Sequence, residues 1–450
     1  MTSQEKNFFQ RLVSNNIDWY LVVAVAILIG ISFTFIYSAG ANYEMSFRYL
    51  SVQSLAASIG FAGLLLLTSF NYQYYKHLGK LVYALSLVLL ISVLVFGSVK
   101  RGTKGWFDFG FISFQPVEIA RIMYILVLAS FLDSKAKESK RVSFLISVFA
   151  LLLGHLALIM MQPDFSSTLS YFPVTLLLLF AIDVEPFYLL CIIVGASLAV
   201  GIPLIGTFFD MQLKIAQNEI FLTNIALFLK NGSVVIYIVV LVLVLIMSGW
   251  GFLWKLKIRI SIVYPVVLCG AIVLGCASSV FVEKSLKDYQ RRRLVVFLDP
   301  QVDPRGSGYN VIQSKIAIGS GKFAGKGFKK GTQTQLGFLP EQHTDFIFSV
   351  IGEEGGWIVA QLTLLFYLFF IWRALVIAKE ARDRYGSLVA TGIATMFAFY
   401  AVINIGMVMG MTPVTGMPLL LLSYGGSSIL SSLCAIGILC SIHMRRHTYS

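Results

Sequence analysis

The sequence predicts an all-α, polytopic integral membrane protein of about twelve transmembrane helices, with one long, partly structured extracytoplasmic loop. Three observations carry this. Of 450 residues, 57% are hydrophobic and 13% charged, where a soluble chain is about a quarter charged. The mean hydropathy is +0.81. Runs of roughly eighteen or more apolar residues, enough to cross hydrocarbon, recur along the whole length.

The first run, 19–38, is too long for a signal-peptide core and reads as an uncleaved span. Further spans are expected at 52–70, 79–98, 116–132, 143–161, 165–182, 187–207, 233–252, 260–281, 356–377, 387–411 and 418–441. Cys191, Cys269, Cys276, Cys434 and Cys440 all lie in apolar runs without a C-x-x-C pair, so they read as packing residues. The basic residues orient the spans. Seventeen Lys and Arg, among them Lys135, Lys137, Lys140 and Arg141, fall in segments on one side. Six (Arg48, Lys100, Arg101, Lys104, Lys214 and Lys230) fall in short loops on the other. By the positive-inside rule both termini are cytoplasmic.

Residues 282–345 then form a long outer loop with eleven Lys and Arg against six Asp and Glu. Its "KDYQRRR" (287–293) and "GKFAGKGFKKG" (321–331) put positive charge outside, close to lipid, which suits a phosphate or pyrophosphate headgroup. Nucleic acid is not an expected partner on that side.

Three acidic residues fall at outer helix starts. "FQPVEIARI" (114–122) and "MQPDFSSTL" (161–169) each place Gln-Pro where a span begins to run inward, with Glu118 and Asp164 in the first turns. Asp345, in "LPEQHTDFIFSVIGEEGG" (339–356), opens another inward-running helix, weakened by Gly355 and Gly356. Each could cap its helix, since free first-turn amides and the helix dipole favour an acidic side chain there. Glu118 has Arg121 three residues on, and such a pair near hydrocarbon is expected to line a polar cavity. His155 reads as a packed histidine. Pro413, Gly416 and Pro418 mark a broken outer re-entry before "SYGGSS" (423–428), where irregular backbone at membrane depth must face protein or a wet cavity.

The motifs "QPVEIARI", "QPDFSST", "KDYQRRR…FLDP", the run from "NVIQSKIAIGSGKFAGKGFKKG" to "HTDFIFSVIGEE" and "PLLLLSYGGSS" resemble the SEDS family (shape, elongation, division, sporulation), its elongation branch more than its division branch. The resemblance implies a single membrane domain over 1–450, typically with ten spans, so 208–259 reads as an insertion with extra span(s). It implies a peptidoglycan glycosyltransferase that polymerises lipid II, an undecaprenyl-pyrophosphoryl disaccharide-pentapeptide, at the outer face of the bacterial cytoplasmic membrane during cell elongation and shape maintenance. Implied partners are a class B penicillin-binding protein, other elongation-machinery membrane proteins and membrane lipid. Asp345 matches the family's catalytic aspartate. Glu118 and Asp164 match polar positions of its cavity, with Arg121 expected beside Glu118, and the "YQRRR" run, with Tyr289, Gln290, Arg291 and Arg293, matches its outer loop. Gln313, Lys315, His343, Thr344, Ser423 and Tyr424 complete the implied substrate-binding set. The family usually has lysine where this chain has Arg121, arginine in place of Gly105, and Gly-Thr in place of Ser166 and Ser167.

The chemistry asks for one general base. Asp345 would take the acceptor hydroxyl proton, and pyrophosphate would leave as a stable anion needing no acid. Basic residues of 284–330, or a divalent cation (magnesium or manganese), would neutralise that leaving group. The sequence shows no protein metal site and no nucleotide-binding motif. A lipid II flippase or transporter, or a non-catalytic cell-wall scaffold, is the alternative. The Gln-Pro elements run the same way rather than inverted, which favours interfacial chemistry over alternating access.

Overall fold

The computed structural model describes residues 17–41, 45–100, 102–110, 113–139, 141–215, 232–285, 290, 291, 293, 296, 297 and 306–447. The chain divides into two compact units. One joins the N-terminal part, up to Ile182, to the part from Asn310 onward. The other is Asp183–Tyr309, which contains the expected insertion 208–259 but begins before it and ends after it.

In the first unit α1 (Trp19–Ala39), α2 (Ser46–Ser69), the short α3 (Gln73–His77) and α4 (Gly79–Phe96) lead to a small sheet. Its strands β1 (Ser98–Lys100), β2 (Thr103–Asp108) and β3 (Ser113–Phe114) pair antiparallel in the order β1-β2-β3, with Ser98 opposite Trp106 and Phe107 opposite Phe114. This short connection between α4 and α5 thus has a framework that no period-2 pattern announces. Helices α5 (Pro116–Ser134), α6 (Val142–Met161) and α7 (Phe165–Ala181) follow. The second unit contains α8 (Pro186–Ile215), α9 (Gly232–Lys255) and α10 (Val263–Ser285), with α8 and α10 packed together. The chain then forms α11 (Ser307–Ser320), α12 (Thr332–Gln335), α13 (Ile347–Glu380), α14 (Arg384–Met409) and α15 (Gly426–Met444). The segment 282–345 therefore carries helices of its own.

Each of the twelve expected spans coincides with a helix. Ten are long and apolar enough to cross a membrane by length and composition. The other two are α7, which has 17 residues, and α5, which carries Glu118, Arg121 and Asp133. One expectation shifts. The last span was placed from 418, but α15 begins at Gly426; Leu419 to Leu422 are buried without being helical. The core is the set α13, α14, α15 and α5, with α14 packing on α5, α7 and α13, and α15 on α2. The outer faces of α2 and α4 leave Phe61, Leu85 and Val88 exposed. Apolar surface of that extent suits a hydrocarbon surround.

Helix α13 breaks at Gly356, whose φ of 66° and ψ of −168° no helix contains. The helix that Asp345 precedes is thus a short entry segment followed by a long span, with the break at the expected weak point. At Gly356 a Cβ would lie 2.1 Å from the Gly325 nitrogen, and at Gly325 one would lie 2.1 Å from the Glu354 oxygen. Gly356→Ala is expected to combine an unfavourable φ, about 1–3 kcal/mol, with a backbone clash. Thermal unfolding in detergent should show a clear loss of stability.

Candidate functional site

Asp345 stands in a turn over 341–346, half-buried, immediately before α13. The helix N-cap falls on Phe346 and no side chain bonds the first-turn amides from that position. Asp345 is therefore not the cap that its place in the sequence suggested. Its main-chain oxygen accepts a hydrogen bond from Asn404 Nδ2 at 2.8 Å. His343 stacks on Tyr49 (centroids 4.4 Å apart, planes at 13°), and both contact the ring of Tyr424. The Tyr424 N–H donates to the His343 oxygen at 2.9 Å. Thr344 is buried and donates to Glu341. Gln342, fully buried, donates to the Ala39 oxygen at the end of α1. Three sequence-predicted residues (His343, Thr344 and Asp345) thus share one braced turn, and Tyr424 is brought to it from 80 residues away in sequence.

A second polar layer lies at the start of α5. Arg121, 1% exposed, meets Glu118 through both guanidinium branches, at 3.0 and 3.4 Å, and lies 4.7 Å over the Tyr400 ring. Ser431 of α15 donates to the same carboxylate at 3.4 Å. The expected Glu118–Arg121 pair forms, with its surroundings supplied by α14 and α15. Asp164 is the N-cap of α7. Its carboxylate accepts from the Ser167 N–H and the hydroxyls of Ser166 and Ser167, and from Gln115 Nε2 at 3.0 Å. The two serines that depart from the family pattern are therefore donors to Asp164. For this residue the capping role is the one the geometry displays.

The irregular segment before α15 joins the two layers. Ser423 is buried and its Oγ accepts from the Leu419 N–H, while Gln53 of α2 binds the Ser423 oxygen and the Gly425 N–H. Ser427, four residues on, accepts from the Gln115 N–H at 2.8 Å. One short stretch thus touches the Asp345 turn through Tyr424 and the α5 start through Ser427.

The basic motif 321–331 is partly consumed in structure. Lys326 pairs with Glu353 at 2.8 Å, and Lys329 lies 4.0 Å over the Tyr37 ring. Glu353, fully buried, also accepts from the main chain of Gln333 and Thr334 and from the Thr334 hydroxyl. Glu354 accepts from Ser38 and Gln335. These two acids fasten the folded loop to the break at Gly356. Lys315 is exposed on α11, its ammonium close to Gly410, and Gln313 lies two residues before it. Ser314 between them bonds Ser349 of α13 and the Val408 oxygen of α14, which fixes α11 against both. Gln290, Arg291 and Arg293 fall in the second unit, where Arg291 donates to the Glu283 oxygen. Tyr289 lies outside the described residues.

Sequence reasoning missed Asn404, Glu353, Glu354, Gln53 and Tyr49. A usable signal existed for the first four, since each is a polar side chain beside or within an apolar run and must find partners there. His155 is packed as expected, bonded to Ser86 at 2.9 Å and ringed by Tyr83, Tyr124 and Tyr171. In the small sheet Lys100 pairs with Asp108 at 2.8 Å and its hydrogen bond holds that carboxyl below the usual range. Among the described residues no three His, Cys, Asp or Glu side chains gather as a metal site.

The model of the FtsW/RodA/SpoVE family, described as cell cycle proteins, matches residues 17–223 and 210–448. The chain is 34% identical over 442 residues to peptidoglycan glycosyltransferase RodA of Treponema pallidum, covering 96% of this chain and 98% of that protein. It is 32% identical to peptidoglycan glycosyltransferase MrdB of Escherichia coli K12, over 84% of this chain and 80% of that one. Among solved structures it resembles a chain of a peptidoglycan synthase complex studied for its coordination of polymerization and crosslinking (27% identity, TM-score 0.64, 96% and 99% covered). The Thermus thermophilus rod shape determining protein RodA shares the fold at 22% identity and a TM-score of 0.58, over 96% of this chain and 98% of that one. The matches span both units and every motif that carried the resemblance: the chain is a member of the FtsW/RodA/SpoVE family of cell cycle proteins, the SEDS family.

Proposed function

We propose that this chain is a peptidoglycan glycosyltransferase that polymerises lipid II at the outer face of the bacterial cytoplasmic membrane, with Asp345 as general base. The observation that carries the reading is the Asp345 turn: a partly buried aspartate on main chain braced by Asn404 and Tyr424, at the junction of a folded polar loop and an apolar helix. The Asp345 carboxylate accepts the proton of the acceptor sugar hydroxyl as that oxygen attacks the anomeric carbon of the donor. The bond from that carbon to the pyrophosphate oxygen breaks, and undecaprenyl pyrophosphate departs as an anion. The proton passes from Asp345 to water before the next addition.

Lys315, exposed on α11, is a candidate cation for the leaving group, whereas Lys326 and Lys329 already serve the loop. A bound magnesium or manganese ion would supply further neutralisation of the leaving pyrophosphate. Glu118–Arg121 holds the interior layer, and the stacked rings of Tyr49 and His343 give a flat face of the kind that sugars pack against. A class B penicillin-binding protein would crosslink the product, consistent with the synthase complex that the chain resembles, and other elongation-machinery membrane proteins would assemble around the pair.

The direct test incubates purified protein with lipid II, alone and with its penicillin-binding partner. Glycan chains are expected. Transbilayer movement of lipid II without any polymer would favour the flippase reading, and neither would favour a scaffold. Sidedness has its own check, in a background without the native cysteines. A cysteine at Leu336, whose side chain is largely exposed, should react from outside with a membrane-impermeant thiol reagent, while one at Lys137 should not. The reverse pattern would place Asp345 on the cytoplasmic side.

A further inference from the structure

Asp345 belongs to a turn rather than a helix, so no i→i−4 ladder fixes its main chain. We infer that Asn404 is the positioning residue that sets Asp345 for proton abstraction, an inference that rests on Asp345 being the base. Asn404 is fully buried in α14, and its Nδ2 donates twice: to the Asp345 oxygen at 2.8 Å and to the Met417 oxygen at 2.7 Å. Both acceptors lie in irregular backbone, one in the 341–346 turn and the other in the 410–425 segment. A carboxamide is suited to this, because its two coplanar N–H groups can hold two carbonyls at once while the side chain stays neutral.

The helix that carries Asn404 is packed on α5, α7 and α13, so the clamp is anchored to the rigid part of the unit. Functional groups on loops are held less well than those on helices unless a neighbouring shell fixes them. The Tyr424 N–H bond to His343 ties the same two segments a second time. The turn and the 410–425 segment are therefore tied together around Asn404, and the pinned carbonyl holds the main chain from which the Asp345 side chain projects. Loosening that carbonyl by about 1 Å would suffice to lower the rate on the order of 10²-fold without removing any substrate contact.

The test compares Asn404→Asp and Asn404→Leu with Asp345→Asn, each as full-length protein with the penicillin-binding partner. Asp keeps the shape and loses the two-donor group; Leu loses every donor. The measurements are kcat for lipid II polymerisation, Kd for lipid II, and the thermal midpoint. Both variants should lose about tenfold or more in kcat, Leu at least as much as Asp. Lipid II Kd should stay within about threefold in both variants, while the midpoint falls in both, since Asp sets a buried acid against two carbonyls and Leu leaves both carbonyls without a donor. Unchanged kcat in Asn404→Asp overturns the inference. So does a parallel fall in kcat, affinity and midpoint, or loss of folded protein in both variants, because Asn404 would then be a structural residue alone. Near-normal synthesis by Asp345→Asn is a different failure: it removes the assignment of the base itself, whatever the Asn404 variants do.

Discussion

Asp345→Asn should leave a protein that folds, reaches the membrane and binds its penicillin-binding partner, yet makes almost no glycan from lipid II. The expected loss is roughly 10²-fold or more, the contribution of a positioned general base. Asparagine is isosteric with aspartate but cannot take up a proton at neutral pH. The change spares the scaffold for a visible reason. Asn404 binds the main-chain oxygen of residue 345, which is present with either side chain, and the N-cap of α13 falls on Phe346. A helix-capping account predicts a small effect, since asparagine caps about as well as aspartate. The comparison must be made at matched protein levels, because a misfolded variant would imitate a catalytic loss. Near-normal chain synthesis would remove Asp345 as the base.

The second large effect concerns stability. Glu118→Ala would strand Arg121, 1% exposed and already without a hydrogen bond at Nε, in an interior bounded by Tyr400 and Ser431. Removing one partner of such a pair costs about 3–5 kcal/mol, because the remaining charge stays buried. Thermal unfolding in detergent and yield from membranes should both fall sharply. Replacing the two together, as E118L/R121M, should recover most of that stability, since a buried pair gains little over well-packed apolar side chains. Activity of the double variant then separates the roles. Polymerisation restored along with stability would make the pair a structural element; a stable but inactive protein would place it in substrate handling.

The spans were legible because hydropathy and helix length are local properties, and all twelve expected segments are helical. Asp345 was legible as a polar residue at a helix start, but its actual position two residues before α13 was not, since the turn is set by distant partners: Asn404, Tyr424 and, through Gln342, Ala39. The Glu118–Arg121 pair followed from i, i+3 spacing on one helix. The loop cations were only half legible. Their charge is in the sequence, whereas the claim of Glu353 on Lys326 depends on the loop 321–331 packing against the helix break at Gly356. The small sheet of 98–114 escaped because its strands are short and carry no alternation that separates them from a loop.

The measurement that tests the central claim most directly is photocrosslinking in membranes, with a lipid II analogue bearing its reactive group on the acceptor sugar. Crosslinked peptides are then mapped by mass spectrometry. The account predicts adducts on the 341–346 turn and on the neighbouring 423–424 segment, reduced by competing unlabelled lipid II. Adducts confined to Asp183–Tyr309, or to the helix ends near Arg382 and Arg446, would contradict it.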